Sequence, residues 1–146
     1  MSKLLVYEKK PLNAALLARA TGLELSQVRS LKQLSEALVS SKPVCIALEV
    51  KMHELTSAIR TAREVKCQTG AAVIAMPESA AMGQECLLYE AGVDLVFWSM
   101  RDRNRVQRLV RAKLAGVADP VGEESTLKTR LWDRLPWKRH ATGGSR

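Results

Sequence analysis

The chain alternates five times between a short apolar run and a segment of helical periodicity, and this alternation constrains its fold most. Four of these segments are largely apolar runs of five to seven residues, which suits strands better than helices, and the other, residues 23–28, alternates between apolar and polar like a half-exposed strand. Strands separated by helices pair in parallel through right-handed crossovers. Runs of successive apolar residues predict a sheet that is covered on both faces. The predicted strands are residues 3–7, 23–28, 44–50, 71–76 and 93–98.

Capping residues and glycines mark the ends of the intervening helices. Ser30 followed by Gln33 is a capping-box pattern, and Gly22 and Gly92 are typical of helix ends. Five strands in a doubly wound α/β fold fit the flavodoxin-like order 2-1-3-4-5. The predicted helices are residues 11–22, 30–40, 54–68, 79–91 and 102–116, with Asn13, Ser79 and Asp102 as further N-caps.

The net charge of +8 is concentrated in the C-terminal third of the 146 residues. Residues 101–146 contain 12 Lys and Arg against 5 Asp and Glu, whereas residues 1–100 are nearly neutral. Three widely spaced cysteines and two histidines favour neither a disulfide framework nor a zinc site. No apolar run has the length of a membrane span, and no secretory signal is evident. We therefore expect a cytoplasmic protein with no metal and no cofactor.

The C-terminal segment differs from the rest of the chain in composition. The predicted sheet is complete at residue 116, so residues 1–116 are expected to form one domain. Residues 117–146 are expected to be a flexible linker and a basic amphipathic docking helix. Folding back onto the domain and binding to a membrane surface are the alternatives. The apolar anchors of this interaction tail are Leu127, Leu131, Trp132, Leu135 and Trp137.

Several segments of the predicted sheet match a known pattern. Residues 3–12 combine a strand, an acid and a Pro-Leu pair, and residues 43–50 are a strand that ends near an acid. Residues 71–78 give a further strand, and residues 90–102 contain an Ala-Gly turn followed by an aspartate and the last strand. Over roughly residues 3–116, the chain resembles the receiver domain of two-component response regulators. The resemblance implies a site where a histidine kinase transfers a phosphoryl group to an aspartate beside Mg²⁺.

The resemblance fails at the residues that this chemistry needs. Glu8 keeps one acid of the metal-binding pair, but Lys9 stands in place of the second. Glu49 stands at the phosphoacceptor position, Pro77 at the hydroxyl position and Ser99 at the lysine position. An ammonium is no ligand for Mg²⁺, and the groups that stabilise transferred charge are missing. The sequence therefore predicts a pseudo-receiver with a degenerate phosphoacceptor pocket, no catalytic residue and no enzymatic activity.

Two hypotheses remain for the role of this pocket. In the first, Glu49 mimics a permanently charged state. In the second, which we favour, Glu8, Lys9 and Glu49 form a solvated ion cluster, with Lys9 as the counter-ion between the two acids.

The last predicted helix carries a row of arginines. Apolar residues at 106, 109, 110 and 114 are expected to face the core, so the arginines line the solvent side. Such a face suits nucleic acid or acidic lipid, or is simply solvated. The resemblance adds an acidic protein partner, because receivers use the surface of helix 4, strand 5 and helix 5 for partners. The basic face comprises Arg101, Arg105, Arg108 and Arg111, flanked by Arg103 and Lys113.

The functional hypothesis is a non-catalytic interaction adaptor in bacterial signalling or localisation. It would bind a protein partner through the last helix and the interaction tail, with a homodimer as a further option. The alternative is a nucleic-acid-associated protein that uses the same basic segments.

Overall fold

A five-stranded parallel sheet lies at the centre of the fold. The structure is a computed structural model, and it describes residues 3–116. The strands are β1 Lys3–Tyr7, β2 Glu24–Val28, β3 Cys45–Val50, β4 Ala72–Pro77 and β5 Leu95–Val96. The helices are α1 Ala14–Thr21, α2 Leu31–Ser41, α3 Leu55–Gln68, α4 Glu85–Glu90 and α5 Arg103–Leu114. All neighbouring strands are parallel, in the order β2-β1-β3-β4-β5, which confirms the predicted fold class.

Helices cover both faces of the sheet, because successive residues of a strand point to opposite sides. Helices α1 and α5 cover one face, and helices α2, α3 and α4 cover the other. The first core contains Leu4, Val6, Leu17, Ile74 and Val106, and the second contains Leu5, Leu34, Val65, Val73 and Leu88. The central strands are therefore apolar on both sides, which explains their continuous apolar runs. Within residues 3–116, no helix is long and apolar enough to cross a membrane.

Cys45 is part of the core under α1 and α5 rather than a reactive thiol. Its side chain is fully buried at the start of β3. Burial raises the pKa of the Cys45 thiol to about 12, so the thiol stays protonated at neutral pH. Cys67 and Cys86 are exposed.

The prediction of one helix that begins at Ser79 is wrong. Residues 79–81 form a single 3₁₀ turn, and α4 begins only after Gln84. Between them Met82 is extended, and Gly83 has a φ of +93°, a backbone conformation that suits glycine. The chain therefore breaks where a continuous helix was expected, and α4 is only 6 residues long.

The predicted strand 93–98 is longer than the observed β5. The amides of Asp94 and Phe97 still donate to β4 carbonyls, but only Leu95 and Val96 form the ladder. The next amides, of Trp98 and Ser99, donate instead to the Asp102 carboxylate. Asp102 therefore makes no side-chain cap on α5, although the sequence predicted one.

The predicted helix ends at Ser30, Gly22 and Gly92 are observed, but one predicted core residue is exposed. Ser30 Oγ accepts from the Gln33 amide at 3.2 Å, as expected of the N-cap of α2. Gly22 and Gly92 take left-handed backbone conformations after α1 and α4. Leu114, predicted to face the core, is 50% exposed because it lies at the last turn of α5.

Candidate functional site at the carboxyl edge of the sheet

The candidate site lies where β1, β3, β4 and β5 end. In a sheet of this order the crossover direction changes between β1 and β3, and ligands bind beyond the strand ends there. Tyr7 is level with Leu48 in the parallel ladder, so Glu8 and Glu49 lie on neighbouring strands. We call the group Glu8, Lys9, Glu49, Pro77 and Ser99 the carboxyl-edge site.

Glu8 serves the backbone of α1. Its side chain is only 2% exposed, and its Oε1 accepts from the Asn13 amide at 2.9 Å. Its Oε2 accepts from the Ala14 amide at 3.2 Å. The Asn13 side chain, predicted as the cap, makes no capping bond. A carboxylate at a helix N-terminus is stabilised by the unpaired amides and the helix dipole. Glu8 is therefore the cap of α1.

Glu49 is held by its own neighbours. Its Oε2 accepts from the Lys9 backbone amide at 3.1 Å, and its Oε1 lies 3.8 Å from Lys51 Nζ. Its side chain is only 17% exposed. The structure thus brings Lys9 and Glu49 together through a backbone amide.

The Lys9 ammonium turns away from the two acids it was predicted to bridge. Lys9 Nζ lies 2.8 Å from Glu54 Oε1. The same Glu54 oxygen lies 3.6 Å from His53 Nε2. The hydrogen bond with Glu54 raises the pKa of Lys9, and the same bond lowers the pKa of Glu54. Burial raises the pKa of the nearby Tyr7 hydroxyl. The predicted solvated cluster of Glu8, Lys9 and Glu49 is therefore wrong, because Glu8 is buried against the start of α1. The Lys9 ammonium is not the counter-ion between the two acids, because it pairs with Glu54 at the start of α3.

Pro77 ends β4 and offers neither a hydroxyl nor a backbone N–H. The next residue, Glu78, accepts from the Met52 amide through Oε1 at 2.8 Å. The Glu78 amide donates to the Val50 carbonyl at 3.0 Å. The loops after β3 and β4 are thus joined to each other at the position where the resemblance expects a hydroxyl.

Ser99 caps the turn that leads into α5. Its Oγ accepts from the Arg101 amide at 3.3 Å, and the Asp102 carboxylate accepts from the Ser99 and Trp98 amides. This reciprocal arrangement is a capping box. The position where the resemblance expects a lysine is therefore occupied by a residue bound to its own backbone.

Comparison with known proteins identifies the fold. A response regulator from Thermotoga maritima superposes with a TM-score of 0.64 at 10% identity, covering 79% of this chain and 98% of that one. The receiver domain of a sensor histidine kinase from Pseudomonas aeruginosa PAO1 gives 0.58 at 19% identity, over 78% and 98%. A pilus assembly-related protein from Burkholderia pseudomallei gives 0.62 at 14% identity, over 82% and 94%. This chain has the receiver fold. No protein-family model and no curated protein sequence matches it.

The carboxyl-edge site does not fit the magnesium ion that the receiver fold suggests. In the Pseudomonas kinase receiver, a magnesium ion is coordinated in the active site cleft. Here the Glu8 carboxylate is buried against two helix amides, and an ammonium occupies the next position. Within residues 3–116, no three His, Cys, Asp or Glu side chains lie close enough to hold a metal together. The pocket beside Glu49 and Glu54 has a volume of about 20 Å³, room for about one water molecule.

A second group of side chains in the receiver fold keeps the expected pattern. Asp94 Oδ2 accepts from the Val73 amide and from Lys66 Nζ, both at 2.8 Å. Gly92 has a φ of +102°, and a Cβ there would lie 3.1 Å from Lys66 Cγ. We call Lys66, Val73, Gly92 and Asp94 the Asp94 cluster. It fixes β5 to β4, which explains why Gly and Asp suit these positions.

The arginines of α5 lie on its solvent side as predicted. Arg101, Arg105, Arg108 and Arg111 are exposed, as is Arg103, while Val106, Leu109 and Val110 are buried. Among the ion pairs of the described residues, this row contributes one, from Arg105 to Asp102 at 3.4 Å. The interaction tail, Leu127, Leu131, Trp132, Leu135 and Trp137, lies outside the described residues.

Sequence reasoning missed the contacts of Glu54, Glu78 and Lys66. Each is a charged residue whose partner lies on another element, 26 to 45 positions away. Glu54 and Glu78 carried one signal, since both follow closely on strands that end at the site. Lys66 carried none, because it belongs to the ordinary polar pattern of α3.

Proposed function

We propose that this chain is a non-catalytic pseudo-receiver that acts as a protein–protein interaction adaptor in bacterial signalling or localisation. The observation that carries the proposal is that the side chains of the carboxyl-edge site make structural contacts instead of forming a phosphorylation site. Glu8 caps α1, Ser99 caps the turn before α5, and the Lys9 ammonium pairs with Glu54. With these groups engaged, the Lys9 ammonium is paired with Glu54, and Ser99 stands where the resemblance expects the lysine that would neutralise a transferred phosphoryl group. The role left to the fold is binding.

Loss of phosphoryl transfer follows from the position of Glu49. Its two oxygens face the Lys9 amide and the Lys51 ammonium, so an attacking carboxylate oxygen would first have to leave them. Close placement of the reacting atoms is a large part of such catalysis. Incubation with a small phosphodonor and Mg²⁺ should leave the mass of the chain unchanged. A stable gain of one phosphate that Glu49→Gln abolishes would overturn the proposal.

The same contacts favour a local structural role for Glu49 over mimicry of a charged state. A mimic must present its charge to a partner or move a neighbouring element, but Glu49 is mostly covered and held locally. The test compares Glu49→Gln with Glu49→Ala in partner binding. Equal binding by both variants and the wild type supports the local structural role. A shared loss of binding with an unchanged melting temperature supports mimicry.

The partner is best described by the chemistry of the exposed arginine row. Arginines with few acidic neighbours suit an acidic protein surface, and charged side chains steer association. The variant Arg108→Glu with Arg111→Glu should reduce capture of the partner. Leu131→Ala with Trp132→Ala tests the interaction tail in the same full-length chain. Lys32→Glu is a matched control, because Lys32 is an exposed base on α2. Failure of both test variants to reduce capture would contradict the proposal.

Nucleic acid is the second candidate ligand, and the same exposed arginine row supports it. Phosphate contacts by arginine release counterions, so affinity falls steeply with salt. Binding to duplex DNA should then weaken by about tenfold or more between 50 and 200 mM salt, with little dependence on sequence. A partner interaction that persists at the higher salt, together with no DNA binding at the lower salt, excludes this candidate.

A further inference from the structure

A groove lies at the opposite edge of the sheet from the carboxyl-edge site. It runs past the starts of β3 and β4, and it has a volume of about 480 Å³. Its walls come from the end of α2, the segments that enter β3 and β4, and Lys113 near the end of α5. We call it the amino-edge groove. Its volume is within the range of about 300–1,000 Å³ found for ligand pockets.

The amino-edge groove is open and partly apolar. Val39 on its α2 wall is 82% exposed, although the adjacent Leu38 is buried in the core. Pro43 and Val44 continue the apolar wall towards β3. Gly70 is an exposed lining residue, and an added Cβ there would meet no atom within 4 Å, so there is open space beside it. An extended segment with small apolar side chains fits such a surface.

The charges around the groove select an anionic occupant. The only ionisable residues among those that line it are Lys42 and Lys113. Neither takes part in an ion pair among the described residues 3–116. Because the lining residues include two ammonium groups and no acid, the groove attracts a segment that carries carboxylates.

The chain itself supplies such a segment. Helix α5 ends at Leu114, one residue after Lys113, and Gly116 turns the chain with a φ of +65°. The next eight residues, VADPVGEE, contain Asp119, Glu123 and Glu124 but no base, with Val117 before the acids and Pro120 and Val121 between them. Eight extended residues span roughly 26 Å, enough to cross the groove from its rim. A tethered segment also has a high effective concentration.

We propose that residues 117–124 bind in the amino-edge groove, with their apolar side chains against Val39 and their carboxylates near Lys42 and Lys113. This goes beyond the proposed function, because it makes the predicted linker a bound strap. The strap would set where the interaction tail begins. It does not depend on which partner the tail binds.

Disulfide trapping in the full-length chain tests the proposal. Cys67→Ser and Cys86→Ser remove the exposed thiols, and Val39→Cys with Val121→Cys places one thiol in the groove and one in the segment. The control pairs Val121→Cys with Leu12→Cys, which is 69% exposed in the loop after β1, at the other edge. In dilute protein, the groove pair should close an intramolecular disulfide about tenfold faster than the control pair or more.

Three results decide the outcome. Fast closure that slows several-fold with Lys42→Glu and Lys113→Glu supports the proposal. Equal closure rates for groove and control pairs overturn it, whether the groove is then empty or takes another protein. Closure as a disulfide-linked dimer also overturns it, in favour of a second copy as the occupant.

A second measurement needs no cysteine. Gly70→Leu adds a bulky side chain among the lining residues of the groove, at a glycine with free space around it and no positive φ. Hydrogen exchange at amides 117–124 should be slowed in the wild type and should accelerate several-fold in Gly70→Leu. Amides that exchange at the same unprotected rate in both proteins contradict the proposal.

Discussion

The carboxyl-edge site and the Asp94 cluster lie in the same receiver fold, but only the second has the side chains that the resemblance expects. In the Asp94 cluster, an aspartate and a glycine hold the last strand against its neighbour. At the carboxyl-edge site, four of the five positions carry a residue that the expected chemistry does not use. The comparison separates residues that the fold needs from residues that only the chemistry needs.

Glu8 combines features of both groups, because it has the residue type that the resemblance expects but a structural role. It has the acidic side chain that the resemblance expects, yet its carboxylate is buried against the first amides of α1. A residue type that suits metal chemistry thus performs a folding role here. Measurements of stability are therefore the best tests, because removing a carboxylate that holds the fold together lowers the free energy of unfolding.

Asp94→Ala should have the largest effect on stability. It removes the acceptor of the Val73 amide and of the Lys66 ammonium, and Asp94 is only 6% exposed. We expect the free energy of unfolding to fall by roughly 2–4 kcal/mol. Urea unfolding followed by circular dichroism measures it. Asp94→Asn is the matched control, because it can still accept from Val73 and should lose less. A loss under about 1 kcal/mol for Asp94→Ala would mean that the cluster does not hold the sheet edge.

Glu8→Ala should also destabilise the chain, and here the sign of the change is informative. The variant leaves the Asn13 and Ala14 amides without their cap, which costs about 1–2 kcal/mol. Removing one acid from a cluster of repelling acids would instead stabilise the protein. Glu8→Gln keeps an acceptor oxygen and should lose less than Glu8→Ala. Unchanged or increased stability of Glu8→Ala would contradict the role of Glu8 as the cap of α1.

The sequence allowed a correct prediction of the buried strands, because short apolar runs between helical segments are typical of a parallel sheet that is covered on both faces. The strand order was also predicted correctly, because five strands in a doubly wound fold fit the order 2-1-3-4-5. Cap patterns made within one helix, such as Ser30 with Gln33, were also predictable. The break before α4 was missed because Ser79 and Gly83 allow both a helix and a turn, and packing decides between them. The contacts of Lys9 and Glu8 were missed since each depends on an element met only after folding.

Gly92→Ala should have an intermediate effect. The residue has a positive φ, and the new Cβ would press on the aliphatic part of Lys66 at 3.1 Å. We expect a loss of about 1–2 kcal/mol in the free energy of unfolding. Gly22→Ala is a useful control, because its φ is also positive but no atom lies within 4 Å of the added Cβ. The difference in the free energy of unfolding between the two variants measures the contact with Lys66. Equal losses would mean that the positive φ alone explains the need for glycine at position 92.

Lys9→Met should have the smallest effect, confined to a window of pH. The pKa of Glu54 is lowered from 4.5, so its pairing stabilises the fold above that pH and is lost as pH falls through the folded-state pKa. The pKa of Lys9 is raised from 10.5, so its contribution is present below that pH and is lost as pH rises through the folded-state value. Both side chains are exposed, which keeps the pair weak and sensitive to salt. Urea midpoints of Lys9→Met and the wild type should therefore differ slightly at neutral pH and converge in acid or in about 1 M salt.

Lys10→Met, an exposed neighbour, controls for loss of charge. A loss for Lys9→Met as large as that of Glu8→Ala would mean that the ammonium at this edge supports the fold, and the contrast with the Asp94 cluster would then disappear.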